Sequence, residues 1–141
     1  MRLIHSHRQA GLFRFANILL LPAMLFANTV FAEGSEPRTI RITLGDYHFS
    51  PAQLTLTAGR PVILELANTD GFTPHNFSLQ DKAGGLDIDV NISAGQVIKI
   101  PLTPQVSGNY DYYCNKKLPL LKSHRMRGMK GTLLVTTPGS E

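Results

Sequence analysis

The sequence predicts an all-β domain, a sandwich or barrel of about eight short strands. Runs of alternating apolar and polar residues recur along the chain, and the clearest is LDIDVNI at 86–92, where four apolar side chains alternate with Asp and Asn. Segments rich in Gly, Pro, Asn and Asp separate these runs, among them AGRP, NTDG, DKAGG and SAG. No sustained helical periodicity follows residue 32. These three observations together favour strands joined by turns.

Taken in chain order, each predicted strand carries one row of apolar side chains that would face the core. TIRITL comes first, followed by the strand candidate around YHFSP, then by QLTLTA and PVILEL. HNFSL, LDIDVNI and QVIKIPL occupy the middle of the chain, and GTLLVTT comes last. Before that final run, YDYYC places Tyr110, Tyr112 and Cys114 on one side of a strand, because side chains alternate with a period of two. The thiol is therefore expected to extend an inward-facing row.

The first 32 residues have a different composition. Arg2, Arg8 and Arg14 precede the apolar run FANILLLPAMLFA, and small residues follow it. This pattern is typical of a secretory signal peptide, and the apolar run is shorter than the ~20 residues of a membrane-spanning helix. We expect cleavage after Ala32, export to the periplasm and a single mature domain at 33–141; the alternative is an uncleaved N-terminal anchor.

Charge in the expected mature chain is almost balanced. Removal of three of the 14 Lys and Arg residues leaves 11 against 10 Asp and Glu, a net charge of +1. The composition therefore gives no reason to expect a nucleic-acid partner. Six basic residues nevertheless lie within 112–131, where they form either ordinary solvated surface or a docking face for an acidic partner protein. The apolar LPLL in the same stretch is either a core plug or an exposed docking patch.

The single cysteine of the chain, Cys114, cannot form an internal disulfide. One cysteine with dispersed histidines does not supply the four Cys and His ligands of a structural zinc site. A two-copper centre bridged by two thiolates is also excluded, because the chain has only one cysteine. One thiolate, two imidazoles and a weak thioether, by contrast, suit a mononuclear copper site. Among the histidines after residue 32, His48 alternates along a predicted strand and is interpreted as a surface or rim residue.

Four segments in order resemble the cupredoxin family of type I (blue) copper proteins, which includes plastocyanin, pseudoazurin and cupredoxin-like domains associated with bacterial iron uptake. These segments are YHFSPAQLTLTAGRPVILELANTD, PHNFSL, GNYDYYC and HRMRGMKGTLLV, within about 39–136. The resemblance implies a Greek-key β-sandwich. It also implies one copper ion, Cu(I) or Cu(II), bound by His75, Cys114, His124 and axial Met129. Met126 is the alternative axial ligand.

The resemblance further implies that Asn76 braces the ligand loops and hydrogen-bonds near the thiolate sulfur. The chain departs from the family in one respect. Nine residues, NKKLPLLKS, separate Cys114 from His124, where family members usually have about two to five.

The favoured function is therefore a periplasmic, monomeric, one-electron carrier that exchanges electrons with a redox partner protein. A copper- or iron-handling module without electron shuttling is the second hypothesis, and a copper-free β-sandwich interaction domain is the third. An enzyme is not expected. The chain has no nucleophile elbow, no phosphate-binding glycine loop and no carboxylate pair in the setting of a glycosidase.

Overall fold

The computed structural model describes residues 36–139, so the predicted signal peptide and its cleavage site lie outside the described residues. Within that range the chain forms nine strands: β1 (Arg38–Gly45), β2 (His48–Ser50), β3 (Gln53–Thr57), β4 (Val62–Asn68), β5 (His75–Asp81), β6 (Leu86–Ile92), β7 (Val97–Leu102), β8 (Gly108–Tyr113) and β9 (Lys130–Thr136). The prediction of an all-β fold is confirmed, with one strand more than the approximate count.

The strands form two sheets. One has the order β2-β1-β4-β7 and the other β3-β9-β8-β5-β6. The pairs β1/β4 and β3/β9 are parallel, and the remaining pairs are antiparallel. Buried side chains from both sheets belong to one hydrophobic cluster, so the sheets form a sandwich.

The predicted inward rows are the ones that the structure buries. In β4, Val62, Leu64 and Leu66 are buried, and in β3 Leu54 and Leu56 are. The same holds for the row in β8, where Tyr112 is fully buried and Cys114, the first residue beyond Tyr113, is buried on the same side. Period-two alternation therefore places the thiol inside the sandwich.

The chain changes sheets between β2 and β3. β2 pairs with β1, whereas β3 pairs with β9 in the opposite sheet. Pro51 lies between them, and because proline has no N–H it cannot continue the ladder of β2. The two predicted strands on either side of Pro51 therefore lie in different sheets.

The loops that concern function meet at one end of the sandwich. Because β1 and β4 are parallel, the β1–β2 turn after Gly45 and the β4–β5 loop after Asn68 lie at the same end of the sheet. β5 is antiparallel to β8, so His75 at the start of β5 lies near the end of β8. Residues 36–139 contain only two 3-10 turns and no α-helix, and no helix among them could cross a membrane.

Candidate metal centre

Three buried side chains converge at that end. His75 Nδ1 lies 3.2 Å from His124 Nδ1, which in turn lies 3.4 Å from Cys114 Sγ. The ligand atoms of all three residues lie within 4.8 Å of one another. Among the described residues these are the histidines and cysteine that come together; His48 is exposed in β2, as predicted.

Backbone hydrogen bonds close the β8–β9 loop around this cluster. Cys114 N–H donates to Met129 O at 3.1 Å, and Met129 N–H donates to His124 O at 3.0 Å. A 3-10 turn over Arg125–Arg127 separates the latter two residues and ends at Gly128, whose φ of 106° is left-handed. Glycine adopts that conformation without a steric penalty, and the chain can therefore return from His124 to Met129 in five residues.

The long insert between thiol and imidazole does not displace His124. His124 N–H donates to Lys116 O at 2.9 Å, which closes the base of the insert, and Leu121 N–H donates to Leu118 O within it. The intervening residues project outward, with Leu118, Leu120 and Leu121 all exposed. LPLL is therefore an exposed segment, and the core-plug alternative is wrong.

The two candidate axial methionines differ in burial. Met126 is 70% exposed in the 3-10 turn, whereas Met129 is fully inaccessible and belongs to the same core cluster as Cys114. Its backbone is bonded to both His124 and Cys114. Met129 is thus the methionine that lies with the buried cluster.

Asn76 connects the two ligand-bearing segments from below. Its backbone N–H points to Cys114 Sγ at 3.2 Å. Its side chain accepts a hydrogen bond from Asn115 N–H at 3.2 Å and donates to Val90 O and to Asp89. The side chain therefore holds the residue after Cys114 against β6, which matches the bracing role that the resemblance implies.

The outer nitrogen of His75 bonds to a carboxylate. His75 Nε2 lies 2.8 Å from Asp70 Oδ2, and Asp70 Oδ1 accepts from Asp46 N–H at 3.0 Å. Partial burial by itself raises the pKa of Asp70, but the hydrogen bonds from His75 and Asp46 outweigh it, and the pKa is lowered overall. Since an ionised carboxylate only accepts, Nε2 donates to Asp70, and Nδ1 is the ring nitrogen that faces the cluster.

His124 packs against an aromatic ring from the β1–β2 turn. The Tyr47 and His124 centroids are 4.8 Å apart with nearly perpendicular planes, and the Arg127 guanidinium lies 3.3 Å from the Tyr47 centroid. Both contacts are of types that stabilise by ~0.5–1.5 kcal/mol each. The imidazole is therefore held from the side as well as through its backbone.

The donor set fits a single copper ion. One nitrogen from each imidazole and the thiol sulfur lie within 4.8 Å of one another, and Met129 is buried in the same core cluster as Cys114. Soft sulfur with imidazole is the combination that suits copper in both oxidation states. The ligand side chains are almost inaccessible to water, with His124 the most exposed of the four at 6%.

The sequence profile of the cupredoxin-like domain family matches residues 17–135. The chain belongs to the cupredoxin-like family. No curated protein sequence matches it significantly.

Several solved structures share the fold of this cupredoxin-like domain. Auracyanin B is 24% identical with a TM-score of 0.57, over 72% of this chain and 91% of its own. Auracyanin A, a "blue" copper protein from Chloroflexus aurantiacus, is 22% identical with a TM-score of 0.54, over 72% and 100%. The metal-binding domain of the Cu(I)-exporting P-type ATPase CopA from Streptococcus pneumoniae, with Cu(I), is 20% identical with a TM-score of 0.53, over 70% and 84%. At these identities the likeness shows the fold alone.

Protonation in the metal-free cupredoxin-like domain follows from burial. Desolvation raises the pKa of the Cys114 thiol, although backbone N–H groups of Lys116 and Asn76 partly offset it. Desolvation lowers the pKa of His124, and the nearby His75 and Arg127 lower it further. At neutral pH the imidazole of His124 is therefore uncharged, while the thiol of Cys114 keeps its proton until a metal displaces it.

Sequence reasoning missed two residues of this site in the cupredoxin-like domain, Asp70 and Tyr47. Asp70 lies five residues before His75 in DGFTPH, and a carboxylate on a loop shared with a candidate histidine is a usable signal. Tyr47 gives no comparable signal, because its contact with His124 depends on how the β1–β2 turn packs against a loop 77 residues further along the chain.

Proposed function

We propose that this cupredoxin-like domain is a mononuclear copper protein that carries single electrons and works as a monomer in the periplasm after removal of residues 1–32. The observation that carries the proposal is the convergence of two imidazole Nδ1 atoms and one thiol in a buried cluster, with Met129 beside it. Bound copper would supply a one-electron couple between Cu(I) and Cu(II). The leader composition supports export.

The protein contributes rigidity and exclusion of water. Three of the four proposed ligand residues have a fixing neighbour: His75 has Asp70, Cys114 has the Asn76 N–H, and His124 has Tyr47. Copper changes its charge when it gains or loses an electron. Because the ligands cannot move far, little structural reorganisation accompanies that change, and the barrier to electron transfer is low. His124 is also one wall of a surface cavity of about 210 Å³, which brings the site close to an approaching protein.

The visible and EPR spectra of the purified, Cu(II)-loaded protein test this function. We expect an intense thiolate-to-copper absorption band, one copper per chain and a reversible one-electron couple in voltammetry. A colourless protein with one bound copper and no reversible couple would contradict the electron-carrier function.

The surface around His124 supports a partner with an acidic docking face. Residues 115–130 carry six basic side chains and no acidic one. Phe72 and Leu118, both exposed, line the cavity beside His124, together with Lys116 and Lys117. Exposed apolar side chains beside several basic ones match a partner that is negatively charged, and such charge complementarity raises the rate of encounter.

Small redox ions of opposite charge test this electrostatic preference. We expect oxidation of the Cu(I) protein by hexacyanoferrate(III), an anion, to slow by about tenfold between low and high ionic strength. A cationic cobalt(III) phenanthroline complex should show the opposite trend. A Lys117→Gln, Lys122→Gln double variant should lose much of the salt dependence, as measured by stopped-flow absorbance.

The matched control for that experiment is Lys82→Gln. Lys82 is exposed in the 3-10 turn that follows β5. His75 begins β5, so Lys82 lies at the other end of that strand. Equal effects of removing charge at Lys82 and in the loop would argue against a docking face around His124.

One observation favours a second candidate, a copper-handling module that receives or delivers the ion without shuttling electrons. The loop between Cys114 and His124 is longer than is usual in the family, and its exposed 117–122 segment offers surface for a protein that gives or takes the ion. Cu(I) affinity far above Cu(II) affinity, with no reversible electrochemistry, would identify this function in place of electron transfer.

A further inference from the structure

The carboxylate of Asp70 is not a proposed ligand, but it contacts both a proposed ligand, His75, and the β1–β2 turn. Asp70 Oδ2 accepts from His75 Nε2 at 2.8 Å, and Oδ1 accepts from Asp46 N–H at 3.0 Å. The two oxygens thus serve two different partners. Asp46 is followed by Tyr47, whose ring packs against His124. A single side chain therefore connects, directly or through one turn, to both imidazoles.

The β1–β2 turn that Asp70 contacts is conformationally unfavourable. Asp46 and Tyr47 have φ values of 47° and 62° between the paired residues Gly45 and His48, which makes a two-residue hairpin turn with two left-handed positions. Such turns favour Asn-Gly or Asp-Gly, and a tyrosine at the second position costs ~1–3 kcal/mol. The hydrogen bond that Asp46 N–H donates to Asp70 holds the turn, and the Arg127 guanidinium packs on the Tyr47 ring that contacts His124.

The surroundings of Asp70 are themselves fixed. Asp70 N–H donates to Asn68 Oδ1 at 3.0 Å, and Asn68 Nδ2 donates to Thr73 O and Ile92 O. Gly45 leaves room for the loop, because a Cβ there would lie 2.6 Å from Thr69 Oγ1 and 3.1 Å from Asp70 Oδ1. The carboxylate is thus held in place from its own loop and from the facing turn.

We propose that Asp70 is the positioning residue of the metal centre, fixing the Nδ1-ligating orientation of His75 directly and the ring of His124 through the Asp46–Tyr47 turn. This inference rests on the proposed copper site. A carboxylate that accepts from the outer N–H of a ligating imidazole orients the ring and makes it a stronger base. A more basic ligand stabilises Cu(II) more than Cu(I), so Asp70 lowers the reduction potential.

Asp70→Asn tests the proposal with little change of shape. A carboxamide has one acceptor oxygen, so it cannot accept from both His75 and Asp46. We expect a Cu(I) affinity about 10–100-fold lower, measured by competition with bicinchoninate. The loss for Cu(II) should be larger than that for Cu(I). Each tenfold difference between the two losses corresponds to a potential 59 mV higher.

Asp46→Asn is the control for charge alone. It removes one exposed carboxylate from the adjoining turn and leaves the backbone N–H and the Asp70 carboxylate in place. The proposal requires Asp70→Asn to have a clearly larger effect on potential and affinity than Asp46→Asn. Equal effects would overturn it.

Two further measurements keep the proposal testable if Asp70→Asn does not fold. In ¹H–¹⁵N NMR of the wild-type Cu(I) protein, the His75 Nε2–H should resonate downfield and exchange slowly with water; rapid exchange would overturn the direct contact. For the indirect branch, Tyr47→Phe keeps the ring and should retain the wild-type potential and spectrum, whereas Tyr47→Gly should shift both. Identical spectra for the two Tyr47 variants would overturn the role of the turn.

These results are distinguishable from failure of the proposed function. A wild-type protein that binds Cu(I) but has no reversible couple would contradict electron transfer, while the His75 Nε2–H signal and the affinity ratios would still decide the role of Asp70.

Discussion

Cys114→Ser should abolish the visible thiolate-to-copper band and lower Cu(I) affinity by more than about 100-fold, the upper end of the loss for residues outside the ligand set. Cys114 is the single cysteine of the chain and the proposed thiolate ligand, whereas a serine hydroxyl is a hard donor that stays protonated. The backbone N–H of Asn76 that faces Sγ at 3.2 Å would face the hydroxyl instead. Absorbance titration with Cu(II) and competition with a Cu(I) chelator measure the two effects.

His48→Gln is the matched control for Cys114→Ser. His48 is exposed in β2 and is not part of the cluster formed by His75, Cys114 and His124. Its replacement should leave the band and the affinity unchanged. Retention of wild-type copper affinity in Cys114→Ser, together with a loss in His48→Gln, would mean that copper binds at surface histidines instead.

The pH dependence of binding gives an independent check on the same residue. Because burial raises the pKa of Cys114, the thiol is protonated in the metal-free protein and must release its proton to bind a metal. Wild-type Cu(I) affinity should therefore rise by about tenfold per pH unit near neutrality. His124 adds little to this slope, because its lowered pKa leaves the imidazole uncharged in that range. Cys114→Ser should lose this slope.

The sheet residues were predictable because their signal is local. Alternation alone placed Leu64 in the core and Cys114 on the same inward side as Tyr112, and the structure confirms both. The grouping of Cys114, His124 and Met129 was also predictable, because a thiol at a strand end followed by a histidine and a methionine is a short-range pattern. Neither inference needed knowledge of how distant segments pack.

The contacts that support the ligands were not predictable in the same way. Asp70 bonds to a turn 24 residues earlier in the chain, and Tyr47 packs against His124 across the top of the sandwich. Nothing in the local sequence around Tyr47 indicates a left-handed backbone there. The exposed course of LPLL was likewise left open, because burial of a four-residue apolar run depends on what the rest of the loop encloses.

Gly131 shows how a correctly chosen residue can act for a different reason. The pattern HRMRGMKG predicts that Gly128 and Gly131 both allow the chain to fold back tightly after His124. In the structure, Gly128 makes that return with its positive φ. Gly131 instead lies in β9 under the Tyr112 ring, where a Cβ would come within 2.3 Å of the ring and 2.5 Å of Ala52 O. Its requirement is packing around Tyr112, the aromatic residue two positions before the thiol.

Tyr112→Ala should lower the free energy of unfolding by about 3–5 kcal/mol, the range for removal of a large aromatic residue from a core. Tyr112 is fully inaccessible, and its ring centroid lies 5.1 Å from that of Phe49 and 5.0 Å from that of Phe77. Domains of this size have ~5–15 kcal/mol in total. Urea denaturation of the metal-free protein, followed by circular dichroism, measures the loss.

Tyr112→Phe separates the hydroxyl from the ring. The hydroxyl donates to Pro51 O at 3.0 Å, so its removal should cost only about 1 kcal/mol near neutral pH. Burial raises the pKa of Tyr112 from 10.0 to about 12. The unfolded chain therefore ionises first as the pH rises, and the wild type should keep its full stability below pH 10 and lose about 2–3 kcal/mol between pH 10 and pH 12. Tyr112→Phe should lack this loss, so its deficit should shrink or reverse in alkali; equal alkaline losses in the two proteins would contradict a buried, neutral hydroxyl at this position.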